Sequence, residues 1–194
     1  VVEAGKKHSL MVIAPAHHRR IQAGILSWGQ DMDNEHNPFQ CNLGYQVSLS
    51  GKGEWAKKGD YVGKEALEKM GADLKAGKSP YKLQLVGLEI GGKPIEEFAA
   101  DFWLVSPGEG VDPCGFITSP WFHPEKGVNI AMGYVPFDGT LNANGFPKWE
   151  IGKKFKVHLP DIYSDTPGEP VDAVTVEIPF TESHNANTRE VVKG

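Results

Sequence analysis

A chain of 194 residues, 40% hydrophobic and 23% charged, has the length and make-up of one large folded domain or two small ones. Its net charge of −5 gives no general attraction to nucleic acid or to an anionic membrane. It holds no run of about 18 apolar residues able to span a bilayer, and its two cysteines, Cys41 and Cys114, form no disulfide framework and suit a reducing, cytoplasmic setting.

VVEAG at the start reads as the last turns of a helix closed by Gly5. With no start methionine and no basic, apolar and cleavage segments of a signal peptide, it predicts the back part of something longer. SLMVIA, 9–14, predicts a short buried strand before Pro15. A helix follows over 16–27: Ile21, Ile25 and Trp28 recur at i, i+4 and i+7 as one apolar face. Arg20 lies off that face, where its planar fork is free to take a carboxylate with two parallel bonds. DMDNEHNPFQCN, 31–42, is turn-rich, with Pro38 holding Asn37 extended. Its alternating Asp31, Asp33 and Glu35 read as a solvated acidic loop.

GYQVSLS, 44–50, predicts a strand, and GKGEWAKKGD, 51–60, a charged loop. YVGKEALEKM, 61–70, predicts a short helix with Ala66, Leu67 and Met70 on one face and Gly71 as its end. The polar stretch 71–80 is the domain boundary. Beyond it the pattern changes. YKLQLVGLEI (81–90) is a long apolar alternation, and Gly91-Gly92 reads as a hairpin turn. FWLVSP, GFITSP, NIAMGYVP, KKFKVHLP and VDAVTVEIPF follow, each punctuated by glycine or proline. Short strands at this spacing predict a barrel or sandwich. In GFITSP, Gly115 starts the strand and Thr118 and Ser119 are placed to satisfy a turn. The last residues are a loose polar tail.

Seven histidines invite a metal reading, but none stands at a ligand spacing with another histidine or a cysteine, and no metal site is expected. GxSxG, P-loop and GxGxxG motifs are absent, which leaves hydrolysis by a serine nucleophile and nucleotide binding without local support.

Four segments carry a resemblance. RIQAGILSWGQD (20–31) is similar to the "RLEAGL…YG-D" signature of the glycine-cleavage T-protein (aminomethyltransferase) family. KKGDYVGKEALEKM (57–70) resembles its "DFIGKEAL" segment. GFITSPWFHPEKGVNIAMGYVP (115–136) resembles its "G-VTSG" strand–loop–strand, and VTVEIPF (174–180) its closing "V–lPF" strand. All four stand in family order. Asp60 and Lys64 replace the cysteine and glutamine of "KGCYxGQE", which separates the chain from the family's iron–sulfur-assembly branch. Three departures concern the site: Gln22 for Glu, Gln40 for Glu and Trp28 for Tyr. A glutamine carries no charge and cannot act as a base. SWGQDM and NPFQCNLG look closer to demethylase-type relatives.

The resemblance implies an α+β chain. Residues 1–76 are the C-terminal part of a mixed α/β folate-cradling domain, 80–182 a C-terminal β-barrel of about six strands, and 183–194 a loose tail. It implies tetrahydrofolate as cofactor, with Arg20 on the carboxylate of the folate tail, Trp28 lining its ring and Tyr45 at a position where many relatives have tryptophan. It implies a small one-carbon donor as partner, neither nucleic acid nor membrane, and a missing N-terminal half that bears the catalytic aspartate. Two classes stand open: the C-terminal part of a tetrahydrofolate-dependent aminomethyl- or methyltransferase, inactive alone, and a non-catalytic folate-binding or scaffold module.

Overall fold

The computed structural model describes residues 1–12, 16–47 and 60–181. Six strands carry the fold: β1 (Leu83–Ile90), β2 (Trp103–Ser106), β3 (Gly115–His123), β4 (Val128–Pro136), β5 (Lys154–Val157) and β6 (Val171–Val176). They close a barrel in the order β1-β4-β3-β2-β5-β6, every pairing antiparallel. Closure removes the unpaired edges an open sheet would expose.

The alternation of side chains across the pleat fills two cores. Val86, Leu88, Ile90, Val105, Ile117, Ala131, Val135, Phe155, Val157 and Ala173 belong to one cluster, the barrel's interior. Leu85, Ile130, Met132 and Tyr134 point the other way and pack with Ile21 and Phe180 in a second. Strands β1 and β4 are thus covered on both faces. The alternation expected over YKLQLVGLEI is therefore not a half-buried one: in β1 and β4 consecutive residues are buried on both faces.

The cover on the outer face is the segment 16–47. It is stitched to β1 by Gln84, whose buried Nε2 donates to Gln40 O (2.9 Å) and Asn42 Oδ1 (2.5 Å). Asn42 Nδ2 donates to Leu85 O (2.8 Å), and Leu85 N–H donates to Gln40 O (3.0 Å). At the other end Phe180 N–H donates to Gln22 O (2.9 Å).

Several expected elements differ. The helix expected over 16–27 is α2, His17–Gln22. It stops because Gly24 takes φ +67, a left-handed conformation that terminates helices. A Cβ there would lie 2.2 Å from Ile178 Cγ2. Ile21 is buried, but Ile25 and Trp28 leave the helical face and are exposed. Near the start, α1 (Val2–Gly5) continues through a 3₁₀ turn to His8, and Ser9 with φ 56, not Gly5, closes it. Leu10, Met11 and Val12 are exposed and in no strand, since no described segment pairs with them; 13–15 lie outside the described residues. Gly44–Gln46 is a 3₁₀ turn, not the start of a strand, with 48–50 again outside. The loop expected at 51–60 is described only at Asp60, and the tail 183–194 not at all.

Helix α3 (Lys64–Lys75) runs through Gly71 to Lys75; Gly71 and Leu74 are its buried positions, and Ala66 is exposed. Gly91-Gly92 makes no hairpin, because the neighbours of β1 are β4 and β6. The chain instead crosses the barrel end. Asn129 holds it there, accepting from Ile95 N–H (3.0 Å) and donating to Lys93 O (3.0 Å). No helix among the described residues is long and apolar enough to cross a membrane.

Candidate functional site

Arg20 reaches from α2 to the barrel wall. Its Nη1 donates to Asp31 Oδ2 (2.7 Å) and to Ile25 O (3.2 Å). Its Nη2 lies 2.8 Å from Ser119 Oγ, 2.9 Å from Gln30 Oε1 and 3.1 Å from His17 Nε2. The carboxylate that the fork takes in this structure is therefore internal. As a cofactor ligand Arg20 would have to exchange one of these partners.

Asp31 is fully buried. Besides Arg20 it accepts from Ser27 N–H (2.8 Å), Thr118 Oγ1 (2.5 Å) and Ser119 Oγ (2.5 Å). A buried carboxylate needs such pairing to offset its desolvation. The solvated acidic loop expected at 31–35 is thus half corrected: Asp31 turns inward, while Asp33 stays at the surface and pairs with His36 Nδ1 at 2.7 Å. That contact and the Glu35 N–H, the larger effect, hold the Asp33 carboxyl below its ordinary range.

Thr118 and Ser119 do not serve a turn. They lie within β3, at a bulge where the pairing jumps from Ile117↔Gly133 to Ser119↔Met132. Successive residues of a regular strand face opposite sides. One inserted residue breaks that alternation and lets both hydroxyls meet one carboxylate oxygen. Gln30 Nε2 adds a bond to Thr118 O (2.9 Å). Beneath, Tyr134 OH donates to Asp31 O (2.7 Å) and lies 3.4 Å from Cys41 Sγ, whose thiol then donates to it. Burial raises the Cys41 thiol above its ordinary value and the Tyr134 hydroxyl far above its own, so both stay neutral donors.

His17 closes the cluster. Arginine only donates, so His17 Nε2 accepts and the ring is neutral when the contact is made. Burial first, then the Arg20 charge, hold its pKa below the ordinary histidine value. Its ring meets Phe98 (5.0 Å) and Trp121 (5.5 Å), part of an aromatic belt beside the network.

The other two expected site residues lie in the same covering segment with their rings in solvent. Trp28 is 65% and Tyr45 69% exposed. No hydrogen bond or ring contact joins either of them to Arg20 or to the other among the described residues. Tyr45 borders a cleft of about 270 Å³ between the covering segment and the barrel, with Leu26, Cys41, Asn42, Leu85 and Trp149. Asp31, Gln30 and Ser119 as partners of Arg20, and Thr118 as a partner of Asp31, were missed because a bulge and a contact 99 residues away leave no local trace. Among the described residues no group of three histidine, cysteine or acidic side chains is placed to hold a metal.

The chain is similar to proteins of known kind. Over 161 residues, 83% of its length, it is 34% identical to the aminomethyltransferase of Thermotoga maritima. Over 162 residues it is 32% identical to that of Thermosynechococcus vestitus. It spans 34% and 35% of those two relatives, about a third of their length. The solved glycine cleavage system aminomethyltransferase T from Bartonella henselae shares the fold, with a TM-score of 0.57 at 22% identity over 84% of this chain and 37% of that one. No protein-family model matches the chain.

Proposed function

We propose that this chain, which by sequence and fold belongs with the aminomethyltransferases of the glycine-cleavage T-protein kind, works as the C-terminal part of a tetrahydrofolate-dependent one-carbon transferase. Residues 1–76 are then the end of the folate cradle and 80–182 the barrel against which it is held. Supporting this most is the buried Arg20–Asp31–Ser119 network, which fixes the RIQAGILSWGQD segment on β3 and leaves Trp28 outward.

The residues suit the cofactor. A flat, partly apolar ring needs aromatic faces, and Trp28 and Tyr45 offer two exposed ones on the same covering segment. Arg20 supplies the cation for the folate carboxylate, by exchange of Gln30 or Ser119, and otherwise positions Trp28 through Asp31. Tetrahydrofolate, when bound, supplies the nitrogen that takes up the one-carbon unit. This chain's part is to bind and orient it. Transfer itself, the one-carbon donor and the catalytic aspartate belong to the further two thirds of a relative's length, and this chain alone is inactive. The setting is the cytoplasm.

A calorimetric titration of the chain with tetrahydrofolate tests the reading. Micromolar binding is expected, weakened about tenfold by Trp28→Ala or Tyr45→Ala, both at exposed positions that leave the fold intact. Binding unchanged by either variant, or absent both here and in a full-length protein containing this segment, overturns it.

A further inference from the structure

On the side of α2 away from Asp31, a cleft of about 510 Å³ opens between the helix, the β3–β4 hairpin and the residue after Phe180. Arg19 and Gln22 come from the helix, His123, Glu125 and Lys126 from the hairpin, and Thr181 from beyond β6. Arg19 has no ion pair among the described residues, and Lys126 has only a loose one, 3.7 Å from Glu89. Two cations thus meet at one opening with one carboxylate, Glu125.

The independent sign is His123. It lines the cleft, is 1% exposed, and its Nε2 has no hydrogen-bond partner, the single such side-chain atom among the described residues. Its Nδ1 accepts from Lys126 N–H (3.4 Å). That acceptor role puts the ring's proton on Nε2, so the orphan is a donor. Buried donors are paired in nearly all proteins, and an exception calls for a missing partner. The partner here has to be an acceptor, and two neighbouring cations favour a negative one.

We propose that this cleft binds a small oxyanion, a carboxylate or phosphate group. Arg19 and Lys126 supply charge, and the Gln22 amide and Thr181 hydroxyl further donors. His123, in the wall of the cleft, supplies its unpaired Nε2–H. Glu125 acts against the ligand and limits affinity. The site is separate from the Arg20 network and does not depend on the folate reading.

The test is NMR of the histidine rings with calorimetry, at low ionic strength, titrating inorganic phosphate in one arm and glutarate in the other. Saturable binding that shifts the His123 ring signals is expected in at least one arm, and the tighter arm tells phosphate from carboxylate. Arg19→Ala and Lys126→Ala, both at solvent-facing positions, are expected to weaken it about tenfold each, and Glu125→Gln to strengthen it. Stationary His123 signals in both arms overturn the proposal. So does binding that Arg19→Ala/Lys126→Ala leaves unchanged.

Discussion

Asp31 shows how much one side chain decides. It is fully buried, yet three side chains and a backbone amide meet it. Breaking a buried pair leaves an uncompensated charge, which costs about 3–5 kcal/mol, more than most single substitutions. Asp31→Leu is therefore expected to lower unfolding free energy by about 3 kcal/mol or more, measured by urea denaturation. The double variant Arg20→Leu/Asp31→Leu should cost less than the two singles summed, because the second change removes the stranded partner. His17 carries a pH dependence at the same place. Its native pKa is depressed by burial and by Arg20, so the unfolded chain takes up the proton first as pH falls. Stability then declines on acidification, beginning near the unfolded value of about 6.5 and levelling once the native ring is protonated. Urea midpoints at pH 7.5 and pH 5.5 should differ, and His17→Gln, which keeps an acceptor for Arg20, should reduce the difference.

Elements were legible to differing degrees, and the differences have causes. The six strands were readable because glycine and proline punctuate them and because the pleat imposes its period on the side chains. The helix at 16–27 was over-extended because Ile25 and Trp28 continue an apolar spacing that the left-handed Gly24 cuts off. Apolar spacing marks which residues suit a buried face; it does not say that the helix lasts long enough to bury them. Strand β3 illustrates the same point. Its start at Gly115 was expected, and the structure adds why glycine stands there: a Cβ would lie 2.1 Å from the Tyr134 carbonyl oxygen on β4. Gly115→Ala forces the two strands apart and is expected to cost about 2 kcal/mol, seen as a lower denaturation midpoint with barrel secondary structure retained by circular dichroism.

For the molecule as a whole, what matters is how the covering segment and the barrel make one another's buried surfaces. The barrel's interior core is built from the six strands and from Ile95, Ala99, Leu159 and Tyr163 on the connections between them, without the covering segment. The outer cluster exists only where Ile21 and Phe180 lie on β1 and β4, so the segment that presents Trp28 and Tyr45 cannot be placed without the barrel. Fold class, the six barrel strands and the similarity to the aminomethyltransferases were legible in the sequence itself, because turn residues, side-chain period and family motifs are local properties of the chain; the strands expected at 9–14 and 44–50 were not found where described. The partners of Arg20, the inward turn of Asp31 and the convergence of Arg19, His123 and Lys126 on one cleft were decided only by tertiary structure. Each depends on a β-bulge, a left-handed glycine or a barrel closure that brings distant residues together, and such long-range geometry leaves no spacing in the chain to read.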